Sequence, residues 1–168
     1  MDIREASIAD LPKAVRLSSE VFMQSVAPLY SPDGVRVFMD YASEGAWADR
    51  HKLGQRTWLA FDGSRLVGVL HIRDGDHISM FFVDAAHQRQ GIGRQLLWHV
   101  LRELGVSQLT VNSSPNSVEG YAKLGFAATG PEEEKSGIRF TPMTGAFNRG
   151  PNQPLEPTAS GSPLCRRK

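Results

Sequence analysis

The residues most capable of chemistry begin at a turn, Gln88-Arg89-Gln90-Gly91-Ile92-Gly93-Arg94, between a predicted strand and a predicted helix. The run before it, Ile78–Val83 (ISMFFV), is short, apolar and β-prone. The run after it sets Ile92, Leu96, Leu97, Val100, Leu101 and Leu104 at helical spacing, one stripe to face a sheet. A turn at such a junction leaves backbone N–H groups unpaired at the positive end of a helix dipole, a seat for phosphate or pyrophosphate. Gly91 and Gly93 lack a Cβ, so an anion can come close to the backbone. A Walker A loop would need a Lys-Ser/Thr pair that is absent here. A dinucleotide fingerprint would need a third glycine or alanine where Leu96 stands, and an acidic residue about 20 residues on. A glycine turn that only packs a helix on a sheet fits the same residues.

The flanking residues add a resemblance. Gln88-x-x-Gly91-x-Gly93 resembles the acyl-CoA signature of the GNAT superfamily of N-acyltransferases. Ser113-Ser114-Pro115 through Gly120-Tyr121-Ala122-Lys123-Leu124-Gly125-Phe126 is similar to that family's later helix, and Gly137–Met143 to its last strand. Together the blocks span roughly residues 1–147. The resemblance implies an α+β fold, a mixed and mostly antiparallel central sheet flanked by helices and splayed where acyl-CoA binds. It implies acetyl-CoA as cosubstrate, with the amides of Arg89, Gln90, Gly91, Ile92, Gly93 and Arg94 on its pyrophosphate. Gln88, Arg89 and Arg94 are the side chains expected nearest the phosphates. Phe81 and Val83 would line the pantetheine arm through their backbone, and Ser114 would contribute a polar contact.

Moving an acyl group from a thioester to an amine requires a held donor, a neutral amine and an acceptor for the departing thiolate. Tyr121 is the candidate for the last role. A phenol titrates near 10 and a thiol near 8.5, so full proton transfer would cost roughly 2 kcal/mol in water, whereas a hydrogen bond that strengthens as charge develops on sulfur needs no full transfer. The residues alone equally allow a helix-face aromatic packed beside Leu124 and Phe126. On the amine side, His77 stands where histone-modifying relatives place a glutamate base. Histidine titrates near neutrality and could serve directly or through water, although a turn histidine after Asp76 is the other reading. Simple alternation puts His77, Ser79, Phe81 and Val83 on one face and Ile78, Met80 and Phe82 on the other, unless a bulge intervenes. Glu20 and Tyr30 are further acceptor-side candidates, and Asp84 and His87 read as structural. Residues 24–55 should form a lid whose Tyr30, Tyr41, Trp47, Asp40, Glu44 and Asp49 would suit a cationic small molecule, a peptide amine or a polyamine.

Composition sets the frame. The chain has 168 residues with 40% hydrophobic and 22% charged, the size of a single soluble domain. Residues 148–168 hold four prolines and no apolar periodicity, so the domain is placed at 1–147 and the rest is expected to be a disordered tail. Arg149, Arg166, Arg167 and Lys168 lie in that tail with Glu156, so the overall +1 becomes −2 for the domain. Nothing there suggests a nucleic-acid surface. The single cysteine, Cys165, also lies in the tail, which leaves the domain without a thiol nucleophile or a Cys-based zinc site. His51 and His99 have no partners at metal-ligand spacing, so no metal is expected. No run reaches membrane-spanning length and the start is unlike a signal peptide, so a cytoplasmic location is expected.

The expected elements are a strand at Ile3–Glu5, a helix capped from Ser7 and a second helix from Ser31-Pro32. An irregular segment at 43–55 precedes a hairpin of Thr57–Phe61 with Leu66–Ile72. The Ile78–Val83 strand and the long helix follow, the latter stopped at Gly105. Strands near Leu109–Val111, Phe126–Thr129 and Ile138–Met143 and a short helix from about Ser117 complete the series. The leading functional expectation is an acetyl-CoA-dependent N-acetyltransferase working by direct attack of a small-molecule or peptide amine, with a homodimer left open. A non-catalytic acyl-CoA-binding module and a nucleotide-phosphate binder are the alternatives.

Overall fold

A computed structural model describes residues 1–148 and the backbone of Glu156–Pro157. The chain runs β1 (Asp2–Glu5), α1 (Leu11–Ser25), α2 (Pro32–Tyr41), α3 (Glu44–Lys52), β2 (Arg56–Asp62), β3 (Arg65–Arg73) and β4 (His77–Val83). It continues with α4 (Ile92–Leu104), β5 (Gln108–Ser113), α5 (Val118–Lys123), β6 (Phe126–Ala128), β7 (Glu133–Lys135), β8 (Ile138–Asn148) and β9 (Glu156–Pro157). Among the described residues the strands form one sheet in the order β1-β2-β3-β4-β5-β8-β6, with β7 and β9 also pairing with β8. Every pair is antiparallel except β4 with β5. The α+β fold with an open, mostly antiparallel sheet is therefore as the sequence led us to expect. The expected disordered tail lies outside the described residues, apart from Asn148 at the end of β8 and Glu156–Pro157, which pair with Asn148 and Phe147.

Two apolar layers enclose the sheet. On one face Ile92, Leu96, Leu97, Val100 and Leu101 of α4 are buried against Trp58, Val67, Leu70, Ile78, Leu109 and Val111. Burying those five helix side chains stabilises the fold by on the order of 10 kcal/mol before ordering costs. On the other face α1 sets Leu11, Ala14, Leu17 and Val21 over Leu59, Val69 and Met80. The start of α1 is fixed by Asp10, whose carboxylate accepts from the Ser7 amide at 2.8 Å and holds Arg4 through two 2.8 Å contacts.

Residues 43–55, expected to be irregular, are instead helical over α3. Ser43 caps the helix by accepting from the Ala46 amide at 3.4 Å, and Trp47 is fully buried. The helix carries one large apolar anchor instead of a stripe, so its sequence shows no period. Trp47 Nε1 donates to Thr57 Oγ1 at 3.0 Å, Thr57 lies 2.8 Å from His71 Nδ1, and His71 Nε2 lies 3.0 Å from Gln55 Oε1. Gln55 Oε1 only accepts, so Nε2 carries the proton and Nδ1 accepts from the Thr57 hydroxyl. Burial first, then the nearby Arg50 and His51, depresses the His71 pKa to about 3. The unfolded chain binds that proton near pH 6.5, so the contribution of neutral His71 is complete above 6.5 and lost as pH falls toward 3. We expect urea stability to drop by roughly 4 kcal/mol more across this window in the native chain than in His71→Gln, with equal slopes ruling the linkage out.

Candidate active site

The sheet opens in its middle. Among the described residues β4 and β5 are in register only at His77↔Thr110 and Ile78↔Val111, after which Ser79–Val83 has no partner strand on that side. The twist of each half carries the two strands apart, and a cleft of about 800 Å³ lies along the divergence. Its walls come from α1, α2, β4, α5 and the β7–β8 hairpin. His77, Phe81, Val83, Gln88, Gly93, Ser114 and Tyr121 all line it. Arg89, Gln90, Gly91 and Arg94 sit on the exposed turn at its end, and the Ile92 side chain is buried in the core, leaving only its amide for the turn.

The turn has the geometry that anion binding requires. After a 3-10 turn at Ala85–His87, Arg89 and Gly91 take positive φ of 61° and 81°. Among the described residues, no amide from Gln88 to Arg94 donates a hydrogen bond; the first helical one is Gln95 N to Gly91 O at 3.0 Å. Those donors cluster at the α4 N-terminus, where the dipole favours negative charge. The strand end is pinned to the turn by Gln88 Nε2, which donates to Val83 O at 3.0 Å. Asp84 holds His87 Nδ1 and, at 3.0 Å, Arg65. Arg94 reaches the Lys123 carbonyl at 3.3 Å, tying α4 to the last turn of α5.

A methyl group at Gly93 would lie 3.5 Å from Phe81 Cζ, an ordinary contact, whereas Gly91 needs its left-handed φ. Gly93→Ala should therefore leave thermal stability unchanged or raise it by up to about 1 kcal/mol, and Gly91→Ala should lower it by about 1–2 kcal/mol. Denaturant titration of the two variants gives the comparison, and a loss at Gly93 larger than at Gly91 would contradict it.

Tyr121 projects from α5 between Phe81, at a centroid distance of 6.1 Å, and Phe126, at 5.3 Å. It thus packs against the core and lines the cleft, so the two readings of this residue are compatible. Its hydroxyl makes no hydrogen bond within the described residues, and desolvation raises its pKa well above that of an ordinary phenol. His77 Nδ1 lies 2.8 Å from Thr110 Oγ1 across the first paired step of β4 and β5. Burial and then Arg73 lower its pKa, so it is neutral at pH 7. Ser114 Oγ donates to Asn116 Oδ1 at 2.8 Å at the mouth of the cleft.

Simple alternation fails on β4. The register passes from His71↔Met80 to Ile72↔Ile78, which makes Ser79 a bulge. Ile78 therefore shares the α4 face with Phe81 and Val83, while Met80 and Phe82 turn to α1. On the acceptor side Tyr30 lines the cleft and Glu20 is exposed away from it. The lid acids are also elsewhere: Asp40 and Glu44 are exposed, Asp49 lies 3.6 Å from Lys52, and Trp47 is core. Arg73, Thr110 and Lys135 escaped the sequence reading, although the Asp74-Gly75-Asp76 turn signals the Arg73↔His77 pairing. Among the described residues no group of three His, Cys, Asp or Glu could hold a metal, and no helix is long and apolar enough to cross a membrane.

A splayed sheet with unpaired amides at the strand-to-helix turn beside it defines a class. Residues 26–147 match the family model of the acetyltransferase (GNAT) domain, and the chain belongs to that family. Its fold is similar to the GCN5-related N-acetyltransferase from Rhodopseudomonas palustris, with 26% identity, a TM-score of 0.71 and coverage of 85% of this chain and 93% of that one. It also resembles in fold the PaiA N-acetyltransferase from Thermoplasma acidophilum, solved in complex with coenzyme A, at 18% identity and TM-score 0.66 over 86% and 98% of the two chains. The ribosomal-protein-alanine N-acetyltransferase from Brucella melitensis is similar at 18% identity and TM-score 0.60, over 87% of this chain and 99% of that one. No match was found among curated proteins.

Proposed function

We propose that the protein transfers an acetyl group from acetyl-CoA to a primary amine by direct attack in a ternary complex. The observation that carries this reading is the set of unpaired amides from Gln88 to Arg94 at the end of the β4–β5 opening, with Tyr121 in the same cleft. In this reading the turn amides hold the diphosphate, each exposed charge–dipole contact contributing about 0.3–1 kcal/mol. Arg89 and Arg94 flank it, Phe81 and Val83 line the pantetheine arm, and Ser114 meets the carrier at the cleft mouth. The amine nitrogen attacks the thioester carbonyl carbon, the C–S bond breaks, and negative charge collects on sulfur.

Tyr121 faces that charge. Its raised pKa makes it a poor full proton donor but keeps it protonated, so its role is a hydrogen bond that strengthens as the thiolate forms. The amine must be neutral to attack, and a lysine-like amine at pH 7 is deprotonated in only about one molecule in 10³. In this reading His77, hydrogen-bonded to Thr110 and with its pKa lowered by burial, takes that proton. The domain's lack of cysteine disfavours a cysteine-linked acyl-enzyme.

Calorimetry with acetyl-CoA, ATP and NAD, paired with detection of free coenzyme A, tests the proposal. Acetyl-CoA should bind and the nucleotides should not, and amines should release coenzyme A. Binding without release under every acceptor would instead identify a coenzyme-sensing module, and preference for ATP or NAD would identify a nucleotide-phosphate binder.

A further inference from the structure

The walls of the cleft constrain the amine. On the α1–α2 side Phe22 stacks on Phe38 with centroids 3.8 Å apart, Tyr30 meets Phe22 edge-on at 5.7 Å, and Phe82 meets Phe38 edge-on at 5.9 Å. Phe140 of β8 lines the same cleft, as do the others. Such rings accept a planar or bulky apolar body. The charged lining is of one sign: Arg73 and Lys135 line the cleft, and among the described residues no Asp or Glu does. Lys135 makes no ion pair within the described residues, and the nearest carboxylate recorded for Arg73, that of Asp74, is 3.8 Å away. Among the described residues Arg73 Nε, Ser79 Oγ at the bulge and Tyr41 Oη are buried and make no hydrogen bond. Arg73 and His77 are register partners on neighbouring antiparallel strands, so their side chains leave the sheet on one face.

We propose that the acceptor is a large apolar amine with a carboxylate next to its nitrogen, an aromatic or bulky α-amino acid in chemical class. Its carboxylate faces Arg73, its amine lies beside His77, and its side chain rests on the Phe22–Phe38 stack, with Lys135 adding positive potential. This rests on the acyltransferase reading above. A polyamine would bring two or more positive charges into a wall with two of its own and no Asp or Glu among its described lining residues. A peptide amine would lack the adjacent carboxylate.

The test is steady-state release of coenzyme A from acetyl-CoA with L-phenylalanine, L-tryptophan and L-methionine, against phenethylamine, tryptamine, spermidine and a lysine-containing peptide. At least one amino acid should exceed its decarboxylated counterpart and spermidine by about tenfold or more in kcat/KM. Arg73→Gln and the exposed Lys135→Glu should each shrink that advantage, raising KM for the amino acid by more than KM for phenethylamine. Spermidine, the peptide or the decarboxylated amines turned over best would overturn the proposal while leaving the acyltransferase intact. Acetyl-CoA binding with no transfer to any amine would overturn it too. Absence of acetyl-CoA affinity in calorimetry would overturn the underlying activity itself.

Discussion

Tyr121→Phe is expected to lower kcat by about 10²- to 10³-fold while the dissociation constant for acetyl-CoA stays within about twofold. The ring packs between Phe81 and Phe126, contacts that phenylalanine keeps. The hydroxyl makes no hydrogen bond within the described residues, so its removal orphans no partner and the melting temperature should move by no more than about a degree or two. The whole effect should then appear in the step that leaves charge on sulfur. Turnover unchanged in Tyr121→Phe would remove the phenol from the mechanism. A large loss of coenzyme affinity would show a positioning role instead.

Gly34→Ala should destabilise the protein by about 1–3 kcal/mol, although the same change inside an ordinary helix stabilises. Gly34 is buried in the first turn of α2, capped by Ser31 Oγ at 3.2 Å, and a Cβ there would meet the Gly137 carbonyl oxygen at 2.1 Å. The reciprocal contact is equally tight, since a Cβ on Gly137 would meet Ser31 Oγ at 2.0 Å, and Gly137 holds a φ of +78°. The β7–β8 turn is thus seated backbone-on-backbone against α2, with Ser31 N donating to Gly137 O at 3.3 Å. Lys135, Ser136, Ile138 and Phe140 of this hairpin line the cleft. Lifting the hairpin should therefore raise the acceptor KM more than it lowers kcat, with acetyl-CoA binding unchanged. Gly45→Ala in α3, where a Cβ meets nothing within 4 Å, serves as the control and should be neutral or mildly stabilising. Equal stabilities for the two variants would refute the account.

The elements legible in the sequence were those with a strong period or a strong stop. α4 announced itself by its five buried positions and by Gly105, which takes the expected left-handed cap at φ 74°. Ser31-Pro32 marked α2, and Asp62-Gly63 and Asp74-Gly75 marked turns that the structure contains. α3 was not legible because one tryptophan anchors it through a tertiary hydrogen bond to Thr57. The hairpin of β7 was not legible because Glu133–Lys135 is exposed and polar, and its pairing depends on β8 and its seating on two glycines far apart in sequence. For the candidate site, the turn and Tyr121 could be named from local motifs. The bulge at Ser79 and the Arg73–His77 pairing are properties of strand register, which no single segment encodes.

The parting of β4 from β5 has a further consequence. A sheet normally hides its raw edges at the perimeter, yet here one lies indoors, along Ser79–Val83. An extended, amide-bearing guest lying in that gap would act as a surrogate strand, joining the β1–β4 half to the β5–β8–β6 half. Occupancy would then behave as a structural bolt: amide exchange along β4 would slow, and the chain's resistance to heat would rise with the logarithm of guest concentration.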